Sequence, residues 1–384
     1  MRIKWTVLIL LSSLLASCTG CNALDINDSV IAVGLGADLK DDTVFFSTQL
    51  AKPIPPEESG SSSEAQFLTV TGSGPTGAEA ARSVLSSLPR IPLWLHASTF
   101  VLGEDLVKND VDAIVDLIAR NREIRHNAIL VVSKNATAQE ILEAESYLEI
   151  YPAQAIEKML IMQERQLGIY VPSTIHNFLD CLSTEGVEAA VPQVSIFKEK
   201  EKNYLQLDGT AVFKGKKMIG ELNETESRGY RWLQPGRHSG GMFVVPSPAN
   251  ARDSIALEVL TFQTRVEPCR QNGQLIMKIH IKADGNFLDQ TGTDFKLSRG
   301  QIPRLERQAA AEIEKQVQSC INKCQGLESD ILGWGQIMQN TDVKQWEAMA
   351  SDWNQHFAGL PTEVKAEFRI RRTYLTEKSF QFRS

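Results

Sequence analysis

The side chains in this sequence with the widest chemical range are its six cysteines and six histidines. Cys320 and Cys324 stand at i and i+4, which puts both thiols on one helix face and could hold a soft metal. No histidine lies at ligand spacing from them, and both thiols extend an apolar stripe, so core packing outweighs a metal site. His96, His126, His176, His238, His280 and His356 are scattered, with no H-E-x-x-H pair on one helix turn. Glu221, Glu224 and Glu226 could supply paired carboxylates for acid–base work, but a solvated acidic turn accounts for them. Gly34-Leu35-Gly36 invites a phosphate loop. It lacks the third glycine and runs into Ala37-Asp38 rather than a helix start, so a strand-ending turn is expected. Trp334, Trp346 and Trp353 could form a sugar-stacking platform, although core packing is the default for such residues. No catalytic constellation, cofactor-binding motif or metal site is expected.

A different chemistry is written at the N-terminus. Arg2 and Lys4 precede an apolar run from Trp5 to Leu15, followed by Leu15-Ala16-Ser17-Cys18. This is the layout of a secretory signal peptide, too short to span a bilayer. Its ending resembles a bacterial lipobox, which implies cleavage before Cys18 and an S-diacylglycerol on that sulfur. Cys21, behind Thr19-Gly20, is the alternative, though its −3 residue would be Cys18. Residues 1–17 are thus read as signal and 18–28 as anchor and tether. Such a lipid holds a soluble body at a membrane by burying methylenes worth ~0.8 kcal/mol each.

Composition narrows the rest. The chain is 42% hydrophobic over 384 residues, enough for two or three folded domains. Beyond Cys18 no apolar run approaches the ~20 residues of a spanning helix. A net charge of −7 argues against nucleic acid and against broad electrostatic docking on anionic lipid. Cys181, Cys269, Cys320 and Cys324 are too few for a disulfide scaffold in a body of this size.

Strands are expected at Val30–Leu35, Phe45–Leu50, Phe67–Thr71, Ala97–Leu102 and Ala128–Val132. Between them run helices that start at Thr76, with apolar Ala81, Val84, Leu85 and Leu88, and at Thr137, and a stripe of Val111, Ile114, Val115 and Ile118. Residues 53–64 are a Pro/Ser/Gly-rich loop. Residues 152–182 read as helical, with Ile156, Met159, Leu160 and Leu167 on one face, and a second helix begins at Ser173 with Ile175, Phe178, Leu179 and Leu182. Residues 29–203 therefore form an N-terminal mixed α/β region, with a division near 150 as an option. Lys198–Asn203 is a charged hairpin tip or linker and a natural boundary. Residues 204–384 read as an α+β domain with a mixed sheet and long helices. Its strands are expected at Leu205–Phe213, Ile255–Phe262 and Met277–Ala283. A helix over 304–324 carries Leu305, Ala309, Ile313, Val317, Cys320, Ile321 and Cys324, and Val364, Ala366, Phe368 and Ile370 mark a last alternating strand.

Residues 209–233 (GTAVFKGKKMIGELNETESRGYRWL) resemble the start of the C-terminal domain of the Ger(x)C family of spore germination lipoproteins. DINDSVIAVGLGAD (25–38) is similar to that family's opening block, and LPRIPLWLHASTFVLGEDL (88–106) to its central one. SDILGWGQIM (329–338), Trp346, Trp353 and FRIRRT (368–373) match its ending. The family's opening block follows its lipid-carrying cysteine, and here it follows Cys21, which favours Cys21 over Cys18. The resemblance implies a non-enzymatic, lipid-anchored C subunit of a nutrient germinant receptor. It further implies integral membrane A and B subunits as partners, a place on the outer face of the spore inner membrane, and no cofactor beyond the covalent lipid. The alternative is a solute-binding lipoprotein serving a transporter. That would need two similar lobes around a cleft, and the two halves differ in pattern. An exported wall hydrolase working through Glu221 or Glu224 is a third, remote reading.

Overall fold

The structure is a computed structural model and describes residues 26–52, 66–292 and 300–372. Cys18, Cys21, the stretch 53–64 and Thr373 of the last block lie outside the described residues.

In the first half the strands are β1 (Ser29–Lys40), β2 (Thr43–Ala51), β3 (Phe67–Gly74), β4 (Ile91–Leu93), β5 (Thr99–Leu102), β6 (Ile129–Lys134) and β7 (Ser173–Thr174). Three longer strands follow, β8 (Ala190–Glu199), β9 (Lys202–Lys214) and β10 (Lys217–Leu222). All belong to one ten-stranded mixed sheet ordered β10-β9-β8-β6-β5-β1-β2-β3, with β4 beside β1 and β7 beside β6. The parallel centre, β1, β5, β6 and β8, is buried on both faces, as parallel strands require. One face is covered by α1 (Gly77–Ser83), α2 (Glu104–Asn109), α3 (Asp112–Arg120) and α6 (Ile175–Ser183), which bury Phe46, Phe100, Leu130 and Phe213. The other face is covered by α4 (Ala138–Glu143) and α5 (Pro152–Gln166), which bury Val101, Val131 and Val194.

The glycines of Gly34-Leu35-Gly36 do not end a strand. β1 continues through them to Lys40. A Cβ on Gly34 would sit 2.4 Å from Ala153 Cβ, and one on Gly36 would sit 3.0 Å from Ala138 Cβ. The two glycines are the floor against which α4 and α5 pack. Of the two helices expected within 152–182, the first ends at Gln166, where buried Gln163 accepts from Ile169 N (3.2 Å) and Tyr170 N (3.0 Å) and donates to Tyr170 O (2.7 Å), and the second runs from Ile175 rather than Ser173. Leu85, expected on the buried face of α1, is exposed because α1 stops at Ser83.

Lys198–Asn203 is the tip of the β8–β9 hairpin. Lys200 and Glu201 take φ of 49° and 67°, the left-handed pair of a two-residue turn matched to strand twist. Strands on both sides of that turn belong to the same sheet, so a cut at 203/204 runs between hydrogen-bonded neighbours.

The second half adds α7 (Glu224–Trp232), β11 (Gly236–Ser239), β12 (Met242–Pro246), β13 (Ser254–Gln271) and β14 (Gln274–Gln290). It continues with α8 (Ile302–Gly326), α9 (Trp334–Thr341), α10 (Val343–Met349), α11 (Trp353–Ala358) and β15 (Thr362–Arg372). Its five-stranded sheet is ordered β11-β13-β14-β15, with β12 also on β13, and β15 runs parallel to β14. The whole stripe expected on α8 is fully buried against this sheet. β13 and β14 are far longer than their apolar cores, and the Asn272-Gly273 turn closes them (φ 52° and 82°). On β15, Ala366 N donates to Glu314 Oε1 and Ile370 N to Glu306 Oε1, each at 2.9 Å. Two α8 glutamates thus occupy donors on the outer edge of the sheet.

Gly34→Ala forces overpacking between β1 and α5 and is expected to lower stability by about 1–3 kcal/mol. Gly326→Ala, where a Cβ meets nothing within 4 Å, is expected to leave stability unchanged or raise it slightly. Urea denaturation midpoints of the two variants check this. Equal shifts would reject the packing role of Gly34.

Candidate functional site at the seam between the sheets

The two halves meet along a seam built from the 209–233 and 329–338 blocks. Its centre is Asp330, fully buried. The carboxylate caps the start of α9. Oδ1 accepts from Trp334 N (3.1 Å), while Oδ2 accepts from Gly335 N (2.8 Å) and from Trp353 Nε1 (2.8 Å). Negative charge at a helix start is favoured by the orphan N–H groups and the helix dipole. The Asp330 carbonyl accepts from Glu188 N at 2.9 Å, which ties α9 to the segment leading into β8. Beside it Gln336 N donates to Gly186 O (3.2 Å), and the Ser329 hydroxyl donates to Phe213 O. A Cβ on Gly335 would lie 2.5 Å from Gly186 Cα, so the backbones touch there.

A second tie uses the arginines of α7. Arg228 Nη1 donates to Leu167 O (2.7 Å) and to Met242 O, and its Nη2 meets Glu224 at 3.2 Å. Arg231 Nη2 donates to Glu164 O (3.2 Å) and Ser239 O (2.9 Å), and its guanidinium sits 5.1 Å from the Phe262 ring centroid. Burial pulls both guanidinium pKa values down, although arginine stays charged. The two arginines therefore bridge the C-terminal end of α5 to β11 and β12 of the second sheet. The same helix packs on α8 through Gly229, where a Cβ would lie 2.2 Å from Gln316 O.

The predicted acidic cluster is dispersed. Glu221 pairs with Lys134 (3.3 Å), which also meets Asp208 (3.2 Å). Glu224 holds Arg228, and Glu226 closes a reciprocal cap with Asn223 at the start of α7. Cys320 and Cys324 lie 3.9 Å apart, sulfur to sulfur, unbonded in the core, where burial pushes the Cys320 thiol well up. Among the described residues no cluster of three or more metal-ligating side chains occurs. The histidines form no cluster of three among the described residues, although His176 N donates to His126 O at 2.8 Å. His126 meets Ile118 O, His238 stacks on Phe262, and His356 pairs with Asp352 at 3.3 Å. Trp334, Trp346 and Trp353 are buried, with Trp346 against Trp353 at 5.4 Å, so they form core and not an open platform.

The family model described as spore germination protein N-terminal domain matches residues 22–196. The one described as spore germination B3/GerAC like, C-terminal, matches residues 208–374. The chain belongs to the GerAC family of spore germination proteins. GerAC relatives include spore germination protein KC of Bacillus subtilis (strain 168), 26% identical over 77% of this chain and 76% of the relative. Spore germination protein GerQC of Bacillus cereus is 22% identical over 97% of this chain and 99% of its own. The crystal structure of the GerBC protein superposes with a TM-score of 0.52 at 19% identity, covering 88% of this chain and 96% of that one, and so shares the fold.

The seam was hidden in the sequence although its residues lay in the quoted GerAC blocks. Asp330 precedes Trp334 by one helical turn, and Arg228 and Arg231 share a face of α7. Those spacings were the available signal. Burial pushes the Asp330 carboxyl up to about 6 from an ordinary 3.8, against its N–H bonds, which pull it down. A carboxyl raised in the folded state binds its proton more tightly folded than unfolded. Its contribution is therefore most favourable below the ordinary value of 3.8, declines as pH rises to about 6, and is level above that. The span is roughly 3 kcal/mol for about two units. Burial also raises the Asp38 pKa, and that group contributes with the same sign. Asp330→Asn is therefore compared with wild type by urea unfolding across this range. The difference in stability should shift by roughly 3 kcal/mol toward the asparagine variant as pH rises through the window. Parallel curves would reject a buried, ionising Asp330.

Proposed function

We propose that the chain is the lipid-anchored C subunit of a nutrient germinant receptor. It is held on the outer face of the spore inner membrane by a diacylglyceryl group on Cys18, with Cys21 as the alternative, and acts by assembly with integral membrane A and B subunits rather than by catalysis. The observation that carries this reading is the match of both GerAC family models, in order, across the two halves. The lipobox-like Leu15-Ala16-Ser17-Cys18 supports the anchor. No helix among the described residues is long and apolar enough to cross a membrane, so a covalent lipid is a natural means of attachment. Anchoring confines subunits to one surface and raises their local concentration, so weak protein contacts suffice for assembly.

The solute-binding alternative calls for two alike lobes. The halves here differ: one sheet has helices on both faces, and the other packs α8 on one face. A tagged chain recovered gently from dormant spore membranes is expected to carry two polytopic membrane proteins with it. Replacing Cys18 and Cys21 together by alanine is expected to abolish this recovery. Recovery of a transporter permease instead would sink the receptor reading. Mass spectrometry of the mature N-terminus decides between the two cysteines.

A further inference from the structure

The end of the first sheet where β1 begins presents exposed apolar side chains. Ile31, Leu68, Leu85, Ile91 and Leu95 are each between 40% and 47% exposed. Strand register gathers them. Ile31 pairs with Leu93 and Ser29 with Ile91, while Ala32 pairs with Leu50 and Leu50 with Leu68. Leu85, Ile91 and Trp94 line one groove of about 810 Å³. Single apolar residues scatter over any soluble surface, but a group at one end of a sheet marks a contact. Lys52, Arg90, Arg122 and Arg125 are exposed on the segments that meet there, against Asp28 and Glu123.

We propose that this end is the face laid against the lipid bilayer, with its apolar side chains at the acyl boundary and its cations among anionic headgroups. The proposal rests on the lipid-anchor reading above and names the surface that the anchor brings down. From Ile26 the chain runs back about five residues to Cys21 and about eight to Cys18, at most roughly 18 Å and 29 Å when fully extended. A lipid on either sulfur therefore keeps the start of β1 within that distance of the headgroups. The net charge of −7 makes an anionic surface repel the body as a whole, so the local cations also orient it.

Trp94 provides a reporter. It is buried in the core of the first half at 7% exposure but lies directly beneath this face and lines the groove, whereas Trp232, Trp334, Trp346 and Trp353 lie in the core of the second half. The full lipidated chain is reconstituted in vesicles of phosphatidylglycerol and phosphatidylethanolamine, with and without brominated acyl chains. Tryptophan emission is then read. Mass spectrometry of the same sample reports the lipid on Cys18 or Cys21. Brominated chains are expected to quench a fraction of the emission. That fraction should vanish in Trp94→Phe and fall severalfold in the surface variant Ile91→Glu/Leu95→Glu, which remains lipidated and folded by circular dichroism. A lipidated chain with no quenching overturns the face and leaves the anchor standing, as expected if another segment or a protein subunit covers this end. Quenching that survives Trp94→Phe overturns the face by placing a different surface in the bilayer. A chain without lipid on either cysteine overturns the anchor reading, and the face with it.

Discussion

A carboxylate with no access to water must be given hydrogen-bond donors, and the seam of this molecule is arranged around that demand at Asp330. Satisfying it fixes the start of α9, the place of Trp353 on α11, and the position of the Asp330 main chain under Glu188. Two helices of the second half and the segment leading into β8 of the first are thus referred to a single residue. Low dielectric strengthens each of these bonds and makes a missing one costly. The join is consequently specific in register: shifting α9 by a turn would strand the charge.

Close backbone approach supplies the remainder of the fit. Gly34 and Gly36 let α4 and α5 lie directly on β1, Gly229 lets α7 lie on α8, and Gly186 and Gly335 bring the two halves together. At each place a side chain would hold the layers apart. The arginines of α7 then tie the end of α5 to β11 and β12 by taking up backbone carbonyls in a partly buried gap. Residues 209–233 therefore form the hinge plate of the molecule: β9 and β10 end one sheet, and α7 turns onto the other.

How much of this could be read in advance depended on whether a residue's role is local. The α8 stripe, the alternation of β15 and the burial of the three C-terminal tryptophans follow from periodicity and apolar character alone, and the structure has them as expected. Gly34-Leu35-Gly36 was legible as unusual but not as packing, because its reason lies in Ala138 and Ala153, a hundred residues away. The break at Leu167 arises from the Gln163 amide folding back on Ile169 and Tyr170, which an apolar pattern does not report. β13 and β14 extend past their hydrophobic cores because they pair with each other, beyond the reach of burial. Asp330 carried no reading of its own in the sequence, since only tertiary contact reveals what surrounds it. Cys18 and Cys21 are the opposite case: their reading rests on sequence grammar alone, and both lie outside the described residues.

The glutamates of α8 that accept from Ala366 and Ile370 have a consequence for crowding. A strand margin with bare amides is a template on which a neighbouring copy can add its own strand, and the product grows without limit. Molecules confined to a surface meet far more often than molecules in bulk, so such a margin would be most hazardous in a tethered protein. Glu306 and Glu314 occupy those amides from within the same chain. Two amides of the second sheet's margin, those of Ala366 and Ile370, are thereby withheld from a self-templating neighbour.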